Sequence, residues 1–211
     1  MEHHIELIAG LGNPDPKYLA TRHNAGFWFV DAVAQAYGGR FSRNAKLAGE
    51  LAEARICGQR VRLLKPATYM NDSGRSVAAA VNYFKIPLDR VLVAYDELDL
   101  PPGRARLKFA GGHAGHNGVR SVIEHVGPGF WRLRIGVGHP NAGARNEVVD
   151  YVLHRANAEE EDRILASIGD SLDVLPAMIE LGPARAQHRL HSPKATADDT
   201  SEDQDDGNPD R

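Results

Sequence analysis

A single cysteine among 211 residues, Cys57, rules out an internal disulfide. It sits beside a turn in ARICGQRVRL, and no partner pattern marks it as a catalytic thiol. No apolar run approaches the roughly 20 residues that span a bilayer, and the N-terminus lacks the basic-then-apolar order of a secretory signal. A cytoplasmic location is therefore expected. Several chemistries lack their signatures. There is no G-x-S-x-G elbow for a serine nucleophile, no H-E-x-x-H and no paired C-x-x-C. Gly10-Leu11-Gly12-Asn13-Pro14-Asp15 begins like a dinucleotide fingerprint, but Asp15 stands where the third glycine belongs. His113 and His116 are three apart and would share a metal only on a helix, which the surrounding glycines oppose. No third ligand is indicated, so neither metal nor cofactor is expected.

What is present is enough apolar content, 42%, for one sizeable core and no room for two. The net charge of -3 hides an asymmetry: from Thr196 onward seven acids face Arg211 alone, a net of -6, which leaves +3 on residues 1–195. A mildly basic body tolerates polyanions, and an acidic segment without aromatics does not pack. The expected organisation is one catalytic domain over residues 1–190, followed by a disordered acidic tail over 191–211 that acts as a solvated tether.

Hydrophobic patterning predicts a buried strand at Ile5 to Leu11, ended by Gly12-Asn13-Pro14, and a helix from Asn24 to Tyr37. Glu50 to Ile56 and Arg60 to Lys65 form a predicted hairpin across a Cys-Gly-Gln turn. A helix over Ser76 to Phe84 and a strand over Arg90 to Tyr95 follow. Arg104 to Phe109 alternates like a half-exposed strand. After the glycine-rich loop Gly111 to Gly118, VRSVIEHV reads as helix and Trp131 to Gly138 as strand, with helices again at Glu147 to Leu153 and Ala158 to Leu181. The expectation is a single-domain three-layer α/β/α fold with a twisted mixed sheet, since the hairpin connection is too short for a crossover.

In such a sheet ligands bind beyond the carboxyl ends of the strands. There the pattern places Asn13, Asn71, Asp96 and Asn117, with His23 arriving from the start of the first helix. Each has a plainer reading: Asn71 and Asn117 precede helices as N-caps, Asn13 suits a turn before Pro14, Asp96 belongs to the acidic run DELDL, and His23 begins a helix. Only the convergence of all five argues for an active site.

These residues fall in GLGNP with Tyr18 and TRHNAG after it, KPATYMNDSG, YDELDLPPGRARLK, GGHAGHNGVRS and RLRIGVGHP. In that order and spacing, over residues 5 to about 190, the chain resembles the bacterial-type peptidyl-tRNA hydrolases. Asp15, where the family has glycine, and Ala114, which interrupts the glycine run, depart from the pattern without removing a functional side chain. The resemblance implies hydrolysis of the ester between peptide and tRNA, recycling tRNA from peptidyl-tRNA shed by stalled ribosomes. His23 would be the general base, oriented by Asp96, and Asn13, Asn71 and Asn117 would hold substrate and water. It implies a peptide cleft around Tyr18, Met70 and His116, and a clamp on the tRNA 5′-phosphate from Lys108 and Arg134. Arg106, Arg120 and Arg132 either extend that patch or form a solvated strand face. A monomer with no obligate protein partner and no membrane contact is implied. The rival from another class is an RNA-binding module that kept the fold and lost the chemistry; it need not keep His23, Asp96 and all three asparagines. A metal-dependent hydrolase using His113 and His116 is a third reading, which a chelator would test.

Overall fold

The computed structural model describes residues 4–140 and 145–191. The acidic segment expected to be a disordered tail lies, apart from His191, outside the described residues. Among the described residues, seven strands form one mixed sheet: β1 (Leu7–Gly10), β2 (Ser42–Asn44), β3 (Gly49–Ile56), β4 (Gln59–Pro66), β5 (Val91–Glu97), β6 (Ala105–Phe109) and β7 (Trp131–Gly136). Their order is β2-β3-β4-β1-β5-β7-β6. The inner four strands are parallel, and antiparallel partners flank them on both sides. The helices are α1 (Ala25–Ala36), α2 (Ser73–Phe84), α3 (Asn117–Val126), α4 (Arg145–Val152), α5 (Ala158–Glu180) and α6 (Pro183–His191).

Strand alternation divides the core into two. Ile8, Leu92, Ala94, Leu133 and Ile135 pack with Phe29 and Val33 of α1 and Ile164 and Ile168 of α5. Leu7, Ala9, Val91, Val93 and Tyr95 pack with Val77 of α2 and Val119 and Val122 of α3. The sheet is therefore covered on both faces, as parallel strands require, and the three-layer expectation holds. The β3–β4 hairpin turns on Cys57 and Gly58, both with positive φ (51° and 75°), so Cys57 is a turn residue.

Two elements had no clear signal in the sequence. β2 is three residues long with no core-facing side chain, so it shows no alternation. The polar segment after Leu181 forms α6, which covers the outer edge of β6: His191 Nε2 accepts from the Leu107 N–H at 3.0 Å, and Gln187 donates to the Leu107 carbonyl at 2.9 Å. An edge strand's unpaired groups are thereby satisfied by side chains.

One close approach fixes the position of the site. A Cβ on Gly10, at the end of β1, would lie 2.2 Å from the Gly26 carbonyl, and one on Gly26 would lie 2.3 Å from the Ala94 carbonyl. The start of α1 thus sits directly on β1 and β5, which brings the residues just before it over the strand ends. The glycines that resembled a dinucleotide fingerprint serve helix-on-sheet contact.

Candidate active site

Within β5, Asp96 continues the Leu92, Ala94 alternation and so points to the side of the sheet that carries α1. The strand runs on through Glu97, so Asp96 lies inside it and not just beyond its end. His23, in a short 3-10 turn before α1, lies above it. The ring nitrogen Nδ1 of His23 is 2.9 and 3.0 Å from the two Asp96 oxygens. With the carboxylate as acceptor, Nδ1 carries the proton, and Nε2 is left with its lone pair in the neutral ring. Asp96 is only 2% exposed. Burial alone would raise its pKa, but His23 and His116 together hold it well below the usual carboxylate range. For His23, burial pushes the pKa down, while the charge of Asp96 and its hydrogen bond push it up further; the net displacement from 6.5 is upward.

His116 was expected as part of a peptide cleft or, with His113, as a metal ligand. It also approaches Asp96, with Nε2 2.9 Å from Oδ1. Its Nδ1 accepts the N–H groups of Gly118 and Val119 at 3.1 and 3.2 Å, so His116 is the side-chain N-cap of α3. The capping role proposed for Asn117 is therefore corrected, and Asn71 does not cap α2 either, since Asp72 holds that position. The ligating atoms of His23, Asp96 and His116 lie within 4.8 Å of one another, a set that could surround a metal ion. The hydrogen bonds of His116 argue against this. Ligation through Nε2 would need the ring proton on Nδ1, where two backbone N–H groups already point. His113, the other candidate ligand, stands apart from the cluster, its Nδ1 accepting from Gly115 N at 3.0 Å.

Asn13 and Asn117 are held with their donor ends free. Asn13 is buried; its Oδ1 accepts the Met70 N–H at 2.9 Å, which leaves its NH₂ for a ligand. Its main chain is gripped on both sides by fully buried Asn24, whose Oδ1 accepts Asn13 N–H at 2.9 Å and whose Nδ2 donates to Asn13 O at 3.0 Å. Nothing in the sequence set Asn24 apart from an ordinary helix-start residue. Asn117 has its Oδ1 taken by Arg120 at 2.5 Å, again freeing the NH₂. Asn71 is exposed at the cleft rim.

His23, Asp96, Asn13, Asn71, Asn117, Tyr18, Met70 and His116 all line one cleft of about 370 Å³. Its apolar wall, Val148, Val149, Val152 and Leu153, comes from α4 and the residue after it and was not anticipated. Arg22 explains how that wall is fixed. Its buried guanidinium donates to the carbonyls of Tyr151, His154 and Arg155, pairs with Glu160 at 2.6 Å and stacks 4.1 Å from the centre of the Tyr151 ring. A cation at the end of a helix satisfies its last carbonyls. The neighbour of His23 therefore ties the opposite wall to the turn that carries His23.

Of the two departures from the family pattern, Asp15 accepts from Lys17 N at 3.2 Å and caps the turn Pro16–Tyr18. Ala114 adopts φ 46°, a left-handed conformation that costs a residue with a Cβ about 1 kcal/mol.

The basic residues lie on β6 and β7. Register pairs Arg106 with Arg134 and Lys108 with Arg132, so all four side chains leave the same face. Lys108 is exposed, and Arg134 is half-buried with its Nε bound to Glu97 at 2.8 Å. Arg132 departs from both expectations: it is neither a patch residue nor solvated. It is 2% exposed and donates to the carbonyls of Gly111 and Gly112, bracing the loop that leads to His116.

A family model described as peptidyl-tRNA hydrolase matches residues 7–198. The chain belongs to the peptidyl-tRNA hydrolase family. It is 52% identical over 193 residues to a peptidyl-tRNA hydrolase of Azotobacter vinelandii, a match that covers 90% of this chain and 98% of that protein. With the peptidyl-tRNA hydrolase of Xanthomonas euvesicatoria the identity is 51% over 191 residues, with the same coverage. A solved peptidyl-tRNA hydrolase from Acinetobacter baumannii superposes with a TM-score of 0.87 at 42% identity, over 90% of this chain and 96% of that one. The fold described above is thus that of a peptidyl-tRNA hydrolase. Among the described residues no helix is long and apolar enough to cross a membrane.

Proposed function

We propose that this chain, as a monomeric catalytic domain over residues 1–190, hydrolyses the ester between the carboxyl of a peptide and the terminal ribose of tRNA. One observation carries the mechanism: Asp96 occupies His23 Nδ1, so the basic Nε2 is left for a water in a cleft lined by free asparagine NH₂ groups. The water oxygen attacks the ester carbonyl while His23 Nε2 takes its proton. Asp96 stabilises the resulting imidazolium, as in a triad with water in place of serine. The oxyanion forms beside neutral donors. Asn13 is the best placed of these because its orientation is fixed on three sides; a donor so placed is worth about 3 kcal/mol. As the tetrahedral intermediate collapses, the bond from carbon to the ribose oxygen breaks and His23 returns its proton to that oxygen. The products are a peptide acid and intact tRNA.

Tyr18, Met70, Asn71, His116 and Asn117 accommodate the peptide main chain, while Lys108 and Arg134, with Arg106 beside them, bind tRNA phosphate. The test is hydrolysis of an N-blocked aminoacyl-tRNA with and without chelator. Chelator-resistant turnover is expected, and turnover abolished by the chelator would make the His23, Asp96 and His116 cluster a metal centre instead.

A further inference from the structure

The last described residue, His191, ends α6 against the edge strand β6. Its ring accepts from Leu107 N at 3.0 Å, and its carbonyl accepts from Arg106 at 3.4 Å. Lys108 is the next residue along that strand, and Arg134 lies opposite Arg106. The chain therefore leaves the described structure beside the basic face. Six residues separate His191 from Asp198, the first of seven acids. Fully extended, they reach about 20 Å. Lys108 and Arg134 are within about 10 Å of Leu107, given the spacing along and between strands.

Charge points the same way. Residues 1–195 carry +3 and residues 196–211 carry -6. Among the described residues, no carboxylate is ion-paired with Arg106 or Lys108; Arg134 alone on that face has one, Glu97. Six of the seven acids lie beyond residue 198, where the family match ends. The segment is thus additional to the machinery the family shares.

We infer that the acidic segment 198–206 docks on the Arg106, Lys108 and Arg134 face of its own chain and competes there with the phosphates of tRNA. The competition with tRNA rests on the phosphate-clamp reading above; the docking itself does not. A tethered competitor acts at a local concentration in the millimolar range, so weak contacts suffice to occupy the face. Because the segment neutralises the same cations, its displacement by tRNA releases fewer counterions, and binding by the full chain depends less steeply on salt.

Two measurements on the full chain test this. The comparison variant keeps the full length but carries Asp→Asn and Glu→Gln changes at the six acids Asp198, Asp199, Glu202, Asp203, Asp205 and Asp206; a second variant ends at His191. At about 50 mM salt both variants should bind deacylated tRNA about three- to tenfold more tightly than the unaltered chain, and by about 200 mM the difference should close. Without tRNA, a zero-length carbodiimide should link Lys108 to a carboxylate of the segment at low salt. Equal tRNA affinity of all three chains at every salt concentration, or a cross-link that maps to lysines away from β6, overturns the proposal. Lys108→Ala separates the two readings. If only the docking is wrong, this change still weakens tRNA binding. If the clamp is wrong, it leaves tRNA binding unaltered while the cross-link in the unmodified chain persists.

Discussion

The cleft and the basic face use polar residues in opposite ways. In the cleft, the central polar groups are each fixed by several bonds: buried Asp96 faces two histidines, buried Asn13 is held through its N–H, its carbonyl and its side-chain oxygen, and half-buried His116 caps a helix while it meets the carboxylate. On the basic face, Lys108 is exposed, Arg106 and Arg134 have one side-chain bond each, and register sets the cations side by side. The first arrangement makes geometry, which a reaction needs to within a fraction of an ångström. The second makes a field, which a flexible polyanion reads without exact placement. Arg132 shows the difference within a single strand pair: its register partner Lys108 is exposed, whereas Arg132 itself has been drawn inward to hold the glycine loop of the cleft.

The largest effect is expected at His23. His23→Ala should lower hydrolysis of N-blocked aminoacyl-tRNA by roughly 10³-fold or more, while the Kd for tRNA, measured by filter binding, stays within about twofold because the field is untouched. Asn13→Ala should cost roughly 10²-fold, the effect falling on kcat, since the donor acts on charge that develops only in the transition state. Lys108→Ala with Arg134→Ala should do the reverse: kcat holds, KM rises by about tenfold at low salt, and the slope of log Kd against log salt flattens by about one to two units. A double variant whose slope is unchanged would place the clamp elsewhere. The smallest effect is expected at Ala114, where glycine removes the left-handed strain at some cost in unfolded-chain entropy. Ala114→Gly should stabilise the fold by roughly 0.5 kcal/mol in denaturant unfolding.

The fold was largely legible because most of its elements bury one face. β1, the β3–β4 hairpin, α1, β5 and α5 show their period in the apolar residues, and their observed bounds fall within a few residues of expectation. β2 and α6 were not legible for the same physical reason: one is too short to alternate, and the other earns its place through hydrogen bonds from Gln187 and His191 to an edge strand, which leave no hydrophobic pattern. In the site, the convergence of His23, Asp96 and the three asparagines followed from strand ends and was met by the cleft. What the sequence withheld were the supports. Asn24 and Arg22 act on backbone groups distant in the chain, and no spacing signals that. His116 looked like a glycine-loop residue because its cap is made by a ring nitrogen, where asparagine beside it was the customary choice. Arg132 was misplaced because a strand alternation of charge reads as exposure unless a buried acceptor is known.

Whether His23 Nε2 takes the proton of water is read by following the ring through pH with ring-nitrogen NMR alongside kcat/KM. In the proposed mechanism the neutral ring is the active form, and its pKa is displaced upward, so activity should be lost as pH falls through a value above 6.5. The predicted result is that the titration midpoint of the ring and the acid limb of kcat/KM coincide above 6.5, and that Asp96→Asn moves both downward together. A ring that titrates at or below 6.5 in the unaltered chain, or an acid limb that stays in place when the ring's midpoint moves, contradicts His23 as the base.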